Sequence, residues 1–208
     1  PIRYKLGLIV AGLSFIILSM FLVTWYTTSA QKADGLVINL AGRQRMLSQK
    51  MSKELFLFAH QEDKKIKDVF KSAAQNTMKV FDITLSALKD SGAVPISLDL
   101  EGPTADCPKA VEPVFSQLNK VKVLWDTFST HMDKTLSGSK DANQSLHFIK
   151  DNNVPLLTEM DSAVAMLQKL SEKKVKRLIL FQTFGLICGI ILMCISIFSC
   201  LFFLLIFF

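Results

Sequence analysis

Two uncharged apolar runs bracket the rest of this sequence and limit its fold more than any other feature. Leu6 to Gln31 carries no charge, with Leu6 to Tyr26 mostly apolar, and Leu178 to Phe208 carries none either. About 20 apolar residues cross a bilayer as a helix, and lipid offers the backbone no partners that would permit another open structure. Both runs therefore read as transmembrane helices, over residues 1–28 and 178–208, with a domain over 29–177 between them. Trp25 and Tyr26 close the first run, where amphipathic rings favour the membrane–water interface. A signal peptide is the competing reading of that run. It is disfavoured because the apolar stretch exceeds a usual signal-peptide core and Thr27-Thr28-Ser29-Ala30 is a weak cleavage site. The sequence opens on Pro1 rather than Met, so residues are expected upstream.

All 18 acidic residues lie between the runs. Of the 24 basic residues, Arg3 and Lys5 precede the first run, and Lys173, Lys174, Lys176 and Arg177 abut the second. The remaining 18 balance the 18 acids, so the domain body is neutral. That argues against a nucleic-acid partner, which needs a basic patch on the domain itself. The four basic residues before Leu178 are expected at lipid headgroups. Arg3 and Lys5 favour a cytoplasmic N-terminus and those four oppose it, leaving a slight preference for an exported domain.

Chemistry-bearing constellations are sparse. His60, His131 and His147 are scattered without metal-ligand spacing, so neither a metal nor a cofactor is expected. No nucleophile–base motif or glycine-rich phosphate loop occurs, and an enzyme is not expected. Cys107 is alone in the domain and reads as a free thiol, while Cys188, Cys194 and Cys200 read as packing residues of the second span. Asn143-Gln144-Ser145 fits a glycosylation sequon by chance.

The domain reads as all-α, an antiparallel four-helix bundle flanked by the two spans. Helix one runs from Ser29 to about His60, with a stripe of Leu36, Leu40, Leu47, Met51, Leu55 and Phe58. Helix two covers roughly Asp63 to Asp90, with Ile66, Phe70, Ala73, Thr77, Val80, Thr84 and Leu88 on one side. A linker of three prolines and two glycines follows, Ser91 to Pro108. Helix three covers about Lys109 to Leu136, striped by Val111, Val114, Leu118, Val121, Trp125, Phe128 and Met132. Helix four begins near Asp141, bends around Asp151 to Pro155 and continues through Leu157, Met160, Val164 and Leu167. Pro155 suits a first-turn position. No useful length alternates with period two.

The most informative segment is Ile38-Asn39-Leu40-Ala41-Gly42-Arg43-Gln44-Arg45-Met46-Leu47-Ser48-Gln49-Lys50-Met51. At about 100° per residue, Arg45 falls almost opposite the apolar stripe. Ile38, Ala41, Gln49, Ser52 and Phe56 gather around it, with Gly42 nearby. A solvated face would carry Lys and Glu, so this second stripe is expected to meet a partner. Glycine inside a helix costs roughly 1 kcal/mol relative to alanine and is useful where a backbone or ligand comes close. Arginine is scarce, 4 against 20 lysines, and Arg43 and Arg45 are the only two in the domain body. A guanidinium suits small oxyanions; two exposed helix arginines that happen to be close together are the bland alternative.

The run INLAGRQRMLSQKMSKE resembles the PilJ-type sensor domain of type IV pilus chemotaxis transducers, and also the corresponding helix of the NarX and NarQ nitrate and nitrite sensor kinases. NNVPLLTEMDSAV in helix four and Trp125 are similar to the family pattern as well. The resemblance implies a periplasmic four-helix bundle working as a homodimer, with the arginine before the motif methionine, Arg45, reaching an anion at the two-fold interface. Arg43 and Gln44 depart from the kinase pattern, which carries uncharged residues around these positions, and many PilJ-type domains have no known ligand.

Together these readings lead us to expect a multi-pass receptor of the bacterial inner membrane whose periplasmic domain binds a small anion such as nitrate or nitrite. Arg45, Arg43, Gly42 and Asn39 are expected to bind it; Ile38, Ala41, Gln49 and Ser52 are expected on the dimer face. Facing Arg45 side chains would repel until an anion joins them, and helix one would then shift against helix four. Sensing of a protein or peptide partner, with no anion site, is the alternative. No HAMP, kinase, cyclase or chemotaxis output pattern occurs up to Phe208; any output module is expected beyond it.

Overall fold

The computed structural model describes residues 2–207; the side chains of Arg3, Lys5 and Cys200, which entered the topology and packing expectations, lie outside the described residues. The chain is all-α apart from one small hairpin: α1 (Ile2–His60), α2 (Lys64–Asp90), β1 (Gly92–Pro95), β2 (Thr104–Cys107), α3 (Val114–Leu136) and α4 (Ala142–Phe207). It divides into two compact units, Pro1–Lys32 with Leu170–Phe208, and Ala33–Lys169.

The first unit contains the apolar ends of α1 and α4, and these are the two helices long and apolar enough to cross a membrane. They pack antiparallel. Gln182 Nε2 donates to Thr24 Oγ1 at 2.9 Å. One turn on, Met20 lies over Gly185 so closely that a Cβ there would sit 2.8 Å from its sulfur. Small residues that admit a neighbouring helix, with a polar pair beside them, are the usual means of association in lipid. Among the spans' cysteines, Cys188 is half-buried and Cys194 exposed within the chain.

The second unit is the four-helix bundle. Each adjacent pair of helices is tied by polar side chains, and wherever two ties are present their order along the chain is antiparallel. Between α1 and α2, Gln44 Nε2 donates to Phe81 O at 2.9 Å, and Thr77 Oγ1 donates to Glu54 at 2.8 Å. Between α2 and α3, Trp125 Nε1 donates to Asp82 at 2.9 Å. Between α3 and α4, Gln117 donates to Glu159, and His131 Nδ1 meets Ser145 Oγ at 3.1 Å. The α4–α1 ties are described with the site below. Inside this ring lie Leu47, Met51, Leu55, Phe81, Leu85, Leu118, Phe128, Met132, Met160 and Trp125, whose ring centroid is 4.4 Å from that of Phe81.

Local chemistry sets the element ends. Asp63 caps α2, accepting from the amides of Lys65 and Ile66 at 2.8 and 3.2 Å. After α2, Ser91 takes φ 78° and Gly92 φ 152°, turning the chain into the hairpin. There Gly92 pairs with Cys107 and Pro95 with Thr104.

Four sequence expectations change. The linker is not structureless: β1 and β2 pair inside it. Helix three starts at Val114 rather than Lys109, because the residue before each of Pro108 and Pro113 is pushed out of the helical region. Val111, placed on the core stripe by periodicity, is therefore 65% exposed. Pro155 is interior to α4, not in its first turn. The bond it removes is to the carbonyl of Asp151, an exposed residue where water can serve. Ile66 is exposed as well, in the first turn of α2.

Leu47→Ala is expected to lower the unfolding free energy by about 2–5 kcal/mol, because Leu47 is fully enclosed. Val111→Ala is expected to change it by less than about 0.5 kcal/mol. Denaturant titration of the full chain followed by circular dichroism checks both.

Candidate functional site

Arg43 and Arg45 are two residues apart on α1, so their side chains leave the helix about 200° apart. They meet different surroundings. Arg43 turns towards α2 and the hairpin. Its Nη1 donates to Ile96 O at 2.7 Å and Ser97 O at 3.2 Å. Its Nη2 donates to Pro95 O at 2.7 Å and Thr84 Oγ1 at 3.3 Å. Burial pulls this guanidinium below its ordinary value, yet arginine stays protonated in proteins, so the carbonyls are held by a cation. Arg43, expected to line the ligand site, thus fastens the hairpin to the bundle.

Arg45 turns towards α4. Its Nη1 donates to Asp161 Oδ1 at 2.5 Å, with the two side chains 40% and 61% exposed. Further along the same helix pair, Gln49 and Asn153 exchange two hydrogen bonds, 2.8 and 3.2 Å. Ala41, Ser48 and Ser52 are buried, and Ser52 Oγ donates to Ser48 O at 2.9 Å. Two residues of the second stripe, Ala41 and Ser52, are accordingly internal. Ala41 and Ser52, expected on the dimer face, are buried within their own chain. Within the chain Arg45 is neutralised by Asp161, an ion pair that the expected repulsion left out.

What stays open is a neighbouring row. Ile38, Gly42, Met46, Gln49 and Lys53 follow one another at steps of four, four, three and four, close to the heptad spacing of a helix–helix seam. Met46, Gln49 and Lys53 are exposed; Ile38 and Gly42 are half-buried. A cleft of about 580 Å³ lined by Gly42, Arg45, Met46, Leu157, Thr158 and Asp161 lies on this edge. A second of about 480 Å³, lined in part by Gln49, Phe56, Leu57 and Asn153, lies further along. A Cβ on Gly42 would touch only Arg45 Nη2, at 3.7 Å. The protomer's own packing therefore gives no reason for a glycine. Asn39 is exposed on α1.

Another cleft, about 530 Å³, opens between α2 and α3 around Asp82, Lys122, Asp126 and Asp133. Lys122 bridges Asp126 at 2.5 Å and Asp82 at 3.5 Å, and the hydrogen bond to Asp126 raises it above the ordinary lysine value. Asp82, Lys122 and Asp126 satisfy one another, while burial raises the Asp133 carboxyl above its ordinary value. Sequence reasoning missed Asp161 and Asn153, though both lie in helix four at i, i+8 and a facing polar pair is a signal that spacing can give. Among the described residues no group of three or more His, Cys, Asp or Glu side chains is arranged to hold a metal ion.

Arg43→Ala is expected to speed hydrogen exchange in residues 92–107 and to destabilise the bundle by about 1–3 kcal/mol. Arg43→Lys is not expected to restore protection, because one ammonium cannot span the carbonyls that the fork reaches. Exchange mass spectrometry on the full chain reads both.

A family model described as type IV pili methyl-accepting chemotaxis transducer N-term matches residues 26–151, more than half of the chain. The match includes Arg43 and Arg45 and ends before the helix-four run 152–164 and Asp161. Among curated proteins no relative matched.

Proposed function

The chain belongs to the PilJ family, the N-terminal region of type IV pili methyl-accepting chemotaxis transducers, and from that premise we propose that it is the ligand-sensing part of a bacterial inner-membrane receptor. The bundle lies in the periplasm, the apolar ends of α1 and α4 cross the membrane, and the chain works as a homodimer without catalytic activity of its own. The ligand is a small anion, with nitrate and nitrite as the first candidates.

The observation that carries this reading is Arg45. It is the one arginine of the bundle not committed to backbone carbonyls, and it lines a cleft of about 580 Å³ beside the exposed row Ile38, Gly42, Met46, Gln49 and Lys53. A second copy laid along that row puts two guanidinium groups near the two-fold axis. An anion there takes charge-assisted hydrogen bonds from both, and Gly42 leaves room for it. The dimer face assigned here keeps Ile38 and Gln49 and gains Gly42 and Met46. Arg43 contributes by holding the hairpin, not by touching the ligand; Asn39 sits one turn from Arg43 and its role is to border the site.

A second reading, sensing of a protein or peptide, draws on Met46, Leu57 and Val154, which are apolar and exposed along the same edge. Such side chains suit a macromolecular contact.

Calorimetric titration of the full chain in detergent micelles separates the two. The anion reading expects saturable binding of nitrate or nitrite at one anion per two chains. Arg45→Ala is expected to weaken it at least about tenfold, the loss of one hydrogen bond to a charged group. No heat from either anion, in a dimeric and folded sample, overturns the anion site and favours the protein or peptide reading.

A further inference from the structure

Asp161 occupies the position at which an incoming anion would meet Arg45. Its carboxylate, like nitrate and nitrite, is a planar monoanion offering oxygen lone pairs to a guanidinium. Only one tine of the Arg45 fork is taken: Nη1 is on Asp161 Oδ1 at 2.5 Å, while Nη2 lies over Gly42, 3.7 Å from where a Cβ would stand. The contact is therefore single-pronged and, with both side chains substantially exposed, readily exchanged.

We infer that Asp161 is a built-in competitor for the Arg45 site, holding the guanidinium in the ligand-free chain and yielding it to the anion. This rests on the anion reading above and adds a specificity-determining residue to it. One bound anion spans the two Arg45 guanidinium groups of the dimer, and the two Asp161 carboxylates it displaces, one from each chain, return to water. Its consequence is mechanical. The ligand-free seam ties α1 to α4 at two places, Arg45–Asp161 and Gln49–Asn153. Binding removes the first tie from the same pair of helices that carry the two apolar spans. It also sets affinity, since a ligand must bind Arg45 better than Asp161 does, which favours small anions able to use both tines of the fork at once.

Nitrate titration of the full chain, as wild type, Asp161→Asn and Asp161→Glu, tests this. Asn keeps the shape and removes the charge, at an exposed position where folding is not at risk. Displacement of two exposed ion pairs per bound anion predicts that Asp161→Asn binds nitrate up to about thirtyfold tighter, and that Asp161→Glu binds like wild type. Binding by wild type with equal or weaker binding by Asp161→Asn overturns the competitor role and makes Asp161 a residue that positions Arg45. Absence of nitrate binding in both proteins removes the anion reading itself, and this inference with it.

Discussion

The seam between α1 and α4 is the constraint on which the rest of this architecture hangs. These are the helices whose far ends are long and apolar enough to cross a membrane, so the seam is where an event in the bundle can reach both apolar segments. It is closed by side chains of low individual worth: an exposed ion pair, Arg45–Asp161, and an amide pair, Gln49–Asn153. Exposed ion pairs contribute roughly 0–1 kcal/mol, whereas coupling between sites commonly amounts to about 1–3 kcal/mol. On the proposed function, a ligand engaging Arg45 would have enough free energy to loosen these polar ties without unfolding the bundle.

The rest of the fold is built to withstand that. Glu54, Thr77 and Lys50 form a satisfied polar cluster between α1 and α2, and Trp125 is clamped between Phe81 and its hydrogen bond to Asp82. Arg43 shows the contrast within one helix turn. It makes three hydrogen bonds to carbonyls of the hairpin and one to Thr84 of α2 in a partly desolvated setting, so releasing it would strip several acceptors at once. Two arginines of identical chemistry thus differ because α1 aims one at a closed corner and the other at an open edge.

Much of this was legible in the sequence, for physical reasons that can be named. Near-heptad stripes located the four helices because each buries one face: Leu47, Met51, Leu55, Leu118 and Met132 all lie in the core. Uncharged length located the apolar spans. The hairpin escaped because its strands have four residues each, and β1 buries two adjacent positions while β2 buries Cys107 alone, so neither shows alternation. Val111 kept the helical period but sits between two prolines, where backbone restriction overrides hydrophobic spacing. The second stripe on α1 was visible, but its partner was not. Small residues signal close approach by something, and the sequence does not say whether that something is another copy or α4. Ala41 and Ser52 proved internal, while Gly42 and Met46, one position along from them and from Arg45, face outwards.

The central claim is that anion binding at Arg45 changes the α1–α4 seam. Double electron–electron resonance between spin labels on His60 of α1 and Lys150 of α4, both exposed, measures this in the membrane-reconstituted chain. The four cysteines would be replaced by serine, and labelled chains diluted with unlabelled ones so that only distances within a protomer are read. The account predicts a distance distribution that shifts with saturating nitrate in the otherwise native chain and stays fixed in Arg45→Ala. A distribution unchanged by nitrate, in a sample that binds it, would contradict the account.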